Sequence, residues 1–124
     1  MGAWGENTVA QWFEWQGYQI TARNYRTPFG EIDLWVTLGS RAYLVEVKTR
    51  SSPPDSLGVS GLTDQKYRRL HRIHTFIYSS VLSATPYIQL YYAFVVLLPT
   101  GLYWFPDIFE STPCFASFPR YHTF

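Results

Sequence analysis

Residues 31–50, EIDLWVTLGSRAYLVEVKTR, decide the fold. Apolar and polar residues alternate on both sides of Gly39-Ser40, the pattern of two half-buried strands, 31–38 and 41–50. Gly followed by Ser suits a two-residue turn, because the first position of a type II′ turn needs the positive φ that glycine takes freely. A turn of that kind sets the register. Residues pair across it when their numbers sum to 79, as those of Gly39 and Ser40 do. Asp33 then faces Glu46, and Glu31 faces Lys48. Directly opposed side chains have β-carbons about 4.5–5.5 Å apart. Two carboxylates at that separation repel, unless a cation or a shared proton lies between them.

On the N-terminal side, residues 3–16 read as a helix. Val9, Ala10 and Phe13 fall on one face, Trp12 lies at its edge, and Gly17 ends it. Residues 18–25 read as a strand, followed by the turn Thr27-Pro28-Phe29-Gly30. On the C-terminal side, residues 51–62 are loop. A helix starts at Thr63 as N-cap, with Leu62 and Tyr67 as a hydrophobic staple, and runs to about Leu82. Its apolar stripe is Tyr67, Leu70, Ile73, Ile77 and Val81. Residues 87–98 are apolar on both faces, as in a central strand covered on both sides. Pro99-Thr100-Gly101 turns into a last strand, 102–105. The tail after Asp107 has no period. The order αβββαββ, with a helix between the third and fourth strands, permits a right-handed parallel crossover. The expectation is one α/β domain over 1–106, a mixed sheet flanked by helices, with 107–124 a tail without regular structure.

Composition narrows the class. The 124 residues suit one domain, and 47% hydrophobic with 15% charged residues argues against disorder. The net charge of +1 does not by itself signal nucleic acid, so any basic patch must be local. The lone Cys114 excludes an intramolecular disulfide and a cysteine zinc cluster, and suits a reducing compartment. The start MGAWGENTVAQW lacks the pattern of a secretory signal. The longest apolar stretch, Tyr87 to Leu98, is well short of the ~20 residues of a membrane helix. A soluble cytoplasmic protein with no membrane partner is expected.

The opposed carboxylates are the chemically distinctive feature. Mg²⁺ or Mn²⁺, a hard cation that takes oxygen ligands and few protein groups, suits Asp33 and Glu46. Lys48 is two residues from Glu46 and shares its face, where it can orient a water or neutralise charge developing on a phosphate. Glu6 shares the inward stripe of Val9, Ala10 and Phe13, and a carboxylate pointing toward the sheet needs a partner. Each feature also has a plainer reading. Glu31–Lys48 fits an ordinary cross-strand ion pair, Asp33–Glu46 a frayed solvent-facing edge, and Glu6 a helix N-terminal carboxylate. Arg23, Arg26 and Arg50 flank the hairpin, while Lys66, Arg68, Arg69 and Arg72 line the second helix. These are candidate phosphate contacts or a solvated face. Trp4 and Trp15 lie on the outer face of the first helix, and His74 beside the apolar stripe of the second reads as a core histidine.

Gly5-Glu6, Gly17-Tyr18, Arg23-Asn24-Tyr25-Arg26, Gly30-Glu31-Ile32-Asp33-Leu34 and Val45-Glu46-Val47-Lys48-Thr49-Arg50 together resemble the YraN-like family. That family is grouped with the PD-(D/E)XK nuclease superfamily, and the layout is similar to that of archaeal Holliday junction resolvases. The resemblance covers residues 2–80. It implies a single restriction-endonuclease-like domain in which Asp33, Glu46 and the backbone carbonyl of Val47 bind Mg²⁺ or Mn²⁺. It further implies that Lys48 serves the hydrolytic water and that Glu6 is a helix-borne acidic member of the catalytic set. Ile32 stands where the superfamily motif has proline. The implied function is a metal-dependent endonuclease on branched or flapped DNA, selecting structure rather than sequence, with homodimerisation left open. Arg23, Arg26, Arg50, Lys66 and Arg69 are the expected DNA contacts. The alternatives are a non-catalytic nucleic-acid-binding or recombination-accessory module that keeps the fold, and an interaction protein using its aromatic surface.

Overall fold

The computed structural model describes residues 2–51, 64–80, 87–106 and 114–117, and only the backbone of some of these, Lys66, Tyr67 and the last strand among them. The elements are α1 (Gly2–Trp15), β1 (Gln19–Thr27), β2 (Gly30–Leu38), β3 (Arg41–Thr49), α2 (Asp64–Ser80), β4 (Gln89–Leu98), β5 (Gly101–Phe105) and β6 (Cys114–Ser117). The expected order αβββαββ is present, with β6 added. The strands form one sheet in the order β1-β2-β3-β4-β5-β6, antiparallel except for the parallel pair β3/β4. β6 corrects the reading of the tail as lacking regular structure. Four residues are too few to show a period, and they become a strand by hydrogen bonding to the edge that β5 would otherwise expose.

The hairpin turn behaves as its residues require. Gly39 has φ +60°, and every observed β2–β3 pair, from Leu38↔Arg41 to Leu34↔Val45, keeps the sum of 79. At the end of α1, Gly17 takes φ +94°. The amide of Tyr18 donates to Phe13 O and that of Gly17 to Glu14 O, the paired bonds of a Schellman cap.

α1 covers one face of the sheet. Val9, Ala10 and Phe13 pack on Leu34, Val36, Val45 and the odd-numbered residues of β4. Around Trp104 on this side, Trp12, Phe13, Tyr18 and Tyr43 meet edge to face, with ring centroids 5.4–6.0 Å apart. α2 covers the other face. Leu70, Ile73 and Ile77 are fully buried against Ile32, Leu44 and the even-numbered residues of β4. β4 is thus covered on both sides, as its sequence implied. Tyr67 as a stripe residue, Val81 and the Thr63/Leu62 cap fall outside the described residues. His74 is half-buried at the edge of the core and hydrogen-bonded: its Nε2 lies 2.7 Å from Leu90 O, so that nitrogen carries the proton, and its ring stacks on the exposed Tyr78.

Candidate active site

The β2–β3 ladder stops at Leu34↔Val45, whereas β3 runs on beside β4 to Thr49↔Leu97. The hairpin therefore opens one step before Asp33 and Glu46, at the end where α1 begins. Gly5 of α1 makes this approach close. A β-carbon there would lie 2.9 Å from Thr49 Oγ1 and 3.9 Å from Val47 Cγ1, so only glycine lets the helix sit this near the end of β3. Glu6 follows directly.

Asp33 occupies a break in strand geometry. Ile32 packs in the α2-side core and Leu34 in the α1-side core, although residues two apart in a strand normally share a face. At this break the Asp33 carboxylate reaches across to β3, where Oδ2 accepts a hydrogen bond of 2.8 Å from the Val47 amide. A side chain has taken the place of a main-chain acceptor. Burial raises the Asp33 pKa from 3.8 to about 6. The Val47 hydrogen bond opposes that rise, the charges of Glu6 and Glu46 add to it, and Lys48 opposes it. Lys48 Nζ lies 3.7 Å from Glu46 Oε1, with the glutamate side chain 14% exposed and the lysine 33%. Glu6, Glu46 and Lys48 are therefore each within electrostatic reach of Asp33, with Val47 bonded to it.

Other expected contacts are arranged differently. The Glu31–Lys48 ion pair does not form, because the ladder has opened before that position. Glu31 instead pairs with Arg26 at 3.3 Å, and both side chains face solvent. Arg23 Nη1 donates to Asn7 Oδ1 at 2.6 Å and so ties β1 to α1. Arg50 Nη1 donates to Thr49 O. The side chain of Lys66 lies outside the described residues. Arg69 packs over Gly30, at a turn that also brings Phe29 against Phe76, and its charge is felt at Tyr92. Trp4 and Trp15 are exposed, as read from the sequence.

Two residues of the site were missed in the sequence. Tyr92 reads as an ordinary core position, yet burial, then the charges of Glu46 and Asp33, hold its hydroxyl protonated well above the usual range. Only the parallel pairing of β3 with β4, Leu44↔Tyr92, places it there. The other is Asn24, whose Nδ2 donates to Glu6 Oε1 at 3.1 Å and to Glu31 Oε1 at 3.3 Å. The positive-φ tendency of asparagine was the available signal.

The donor set fits a hard divalent cation. Around Asp33 the charges of Glu6 and Glu46 outnumber the single ammonium of Lys48, and carboxylate oxygens are the ligand type that Mg²⁺ and Mn²⁺ accept. Among the described residues no three His, Cys, Asp or Glu side chains already form a metal cluster. Water, phosphate oxygens or a main-chain carbonyl would have to complete the shell, as is usual for Mg²⁺.

A mixed sheet between helices, opened at one end around an Asp, a Glu and a Lys two residues beyond it, defines a PD-(D/E)XK-like nuclease fold. Comparison with known proteins agrees. Residues 5–93 match the family model described as Uncharacterised protein family UPF0102. The chain belongs to this family, the YraN family, a PD-(D/E)XK-like nuclease group. It is 40% identical to UPF0102 proteins of Alkaliphilus metalliredigens and Beutenbergia cavernae, over 73 residues in each case. Those alignments cover 59% of this chain and 64% and 62% of the two relatives. It is 36% identical over 76 residues to a UPF0102 protein of Thermus thermophilus, covering 61% of this chain and 68% of that one. The chain thus spans a little under two thirds of the length of the first two relatives.

Proposed function

We propose that this protein is a Mg²⁺- or Mn²⁺-dependent endonuclease that hydrolyses phosphodiester bonds in DNA, selecting branched or flapped structures. The observation that carries this reading is the opened end of the hairpin, where Asp33, Glu46 and Lys48 converge with Glu6. A sheet built only for stability gains nothing from carboxylates gathered beside a strand break.

Asp33, Glu46 and the Val47 carbonyl would hold the cation, which when bound supplies positive charge against the phosphate oxygens. The residues do the rest. Asp33 is anchored by the Val47 amide, so its carboxylate is oriented before any ligand arrives. Lys48, beside Glu46, can hold the attacking water through its N–H groups and neutralise charge that builds on the phosphate. Arg50, two residues after Lys48, and Arg69, whose charge reaches Tyr92, would meet flanking phosphates, whereas Arg23 and Arg26 are engaged by Asn7 and Glu31. No helix among the described residues is long and apolar enough to cross a membrane. The single cysteine suits a reducing, cytoplasmic setting.

The test is cleavage of a panel of linear, flapped, four-way and single-stranded DNA with Mg²⁺ or Mn²⁺. We expect cleavage of the branched substrates and a loss of about 100-fold or more in Asp33→Asn, the scale of removing one electrostatic group from an active site. Binding should weaken as salt rises, through counterion release. DNA binding without cleavage under any metal would favour the accessory module, which the near-neutral charge and the tethering of Arg23 to Asn7 also suit.

A further inference from the structure

Asn24 lies in β1 opposite Asp33 and has two properties that an exposed strand residue does not need. Its backbone is left-handed, with φ +49°, and among the described residues it is the only non-glycine with positive φ. The β1–β2 ladder runs through Arg23↔Leu34 and resumes at Tyr25↔Ile32, skipping the Asn24–Asp33 position. The change of face seen from Leu34 to Ile32 is matched across the ladder. Arg23 reaches α1 on one side of the sheet, and Tyr25 packs in the core on the other. Both strands switch at the same place, and Asp33 is the β2 residue at the switch.

The second property is the side chain. A left-handed backbone alone would be served better by glycine. Asparagine tolerates that conformation and adds an N–H donor. Here the single Nδ2 holds one oxygen of Glu6 and one of Glu31, two carboxylates that would otherwise repel. Beside it, Arg23 holds Asn7. Two consecutive residues of β1 therefore grip two consecutive residues of α1, and one of those gripped is Glu6.

We propose that Asn24 is a positioning residue for phosphodiester cleavage. Its backbone turns Asp33 out of the ladder, and its amide fixes the Glu6 carboxylate within electrostatic reach of Asp33. The proposal rests on the nuclease reading above.

The experiment is a double-mutant cycle on Mn²⁺-dependent cleavage with the full chain, comparing wild type, Asn24→Gly, Glu6→Gln and the double variant. Asn24→Gly keeps access to positive φ and removes only the amide. We expect it to lower kcat about tenfold or more while KM for DNA stays within about twofold. Because it acts through Glu6, the double variant should be no slower than Glu6→Gln alone. Independent losses that multiply, or an unchanged kcat in Asn24→Gly, would overturn the positioning role. Asn24→Asp guards against a folding defect in the glycine variant. It keeps the shape and the left-handed tolerance but sets a third carboxylate against Glu6 and Glu31, so kcat should fall further, and wild-type kcat in it would overturn the role. A wild type that cleaves no substrate defeats the nuclease reading and this proposal together. A cleaving wild type with multiplicative losses defeats this proposal alone.

Discussion

The two halves of the β2–β3 hairpin follow opposite rules. From the turn to Leu34↔Val45 the ladder is regular, the register is unbroken, and Leu34, Leu44 and Val45 are fully buried. Beyond that pair the ladder opens, a carboxylate replaces a main-chain acceptor, and Asp33, Glu46 and Lys48 stand where apolar residues would pack better. One short hairpin thus contains both the part that specifies the fold and the part that departs from it. The teaching is local. Burial in the first half makes the register robust, and the second half exploits that register to hold charges together that would not associate in solution.

The largest effect expected on stability lies in the regular half. Leu44→Ala removes a fully buried side chain packed beneath α2 and should cost about 2–5 kcal/mol in denaturant unfolding. If it costs well under 1 kcal/mol, the two halves do not differ in the way described. In the open half, the informative comparison is Asp33→Ala with Asp33→Asn. The amide oxygen of asparagine can still accept the Val47 hydrogen bond, whereas alanine leaves that N–H without its acceptor. Asp33→Ala should therefore be less stable than Asp33→Asn by about 1–3 kcal/mol. Equal stability would mean that the carboxylate does not stand in for the ladder.

Titration sharpens the contrast next. Asp33 has a pKa near 6 in the folded chain against 3.8 ordinarily, because burial disfavours its charged form. Between those values the folded state keeps a proton that the unfolded chain has released, so stability falls as pH rises from about 4 to about 6 and is level above. Below pH 4 both states are protonated and the contribution is constant. The expected loss is on the order of 1–2 kcal/mol once partial solvent access is allowed for. The measurement is the difference between wild type and Asp33→Asn across that window. Asp33→Asn should lack this component and, without metal, match or exceed the wild type at pH 7. A difference that grows in the opposite sense would show that Asp33 is a stabilised anion.

How much of this was legible in the sequence follows from the range of the interactions. Gly39-Ser40 and the alternation around it are local, so the register of the regular half could be read directly; Asp33 and Glu46 do come within electrostatic reach, but not as the ladder pair that this register predicts. The stripe of α1 could be read for the same reason, and it brought Glu6 toward the sheet. The switch of face at Asp33 could not. It depends on Asn24 adopting a conformation that asparagine permits but does not require, and on Glu6, 18 positions away, accepting its amide. Arg23 looked like a phosphate contact because its partner Asn7 lies on another element. Tyr92 looked like core because its neighbours across the parallel pair are joined to it through a long crossover. β6 was hidden because the edge that recruits it belongs to β5.

The smallest expected change in stability concerns Lys48, and it bears most directly on function. Lys48 follows Leu44 and Glu46 on one face of β3, so the three residues compare core, ligand and ammonium on a single strand. Its Nζ is 3.7 Å from Glu46 and its side chain is one-third exposed, a long and partly screened ion pair. Lys48→Ala should therefore alter the stability of the metal-free protein by less than about 1 kcal/mol. Removing the ammonium also removes a competitor for the carboxylates. A cation that binds only the folded state raises the thermal midpoint, and in Lys48→Ala the rise with Mn²⁺ should equal or exceed that of the wild type. Cleavage should nevertheless fall, because the water and the phosphate have lost their N–H donor. The two readouts moving apart is the signature of a residue that serves the reaction rather than the ligand. If both the Mn²⁺ response and the cleavage disappear in Lys48→Ala, the lysine instead holds Glu46 in place, and the open half of the hairpin needs its ion pair as the regular half needs Leu44.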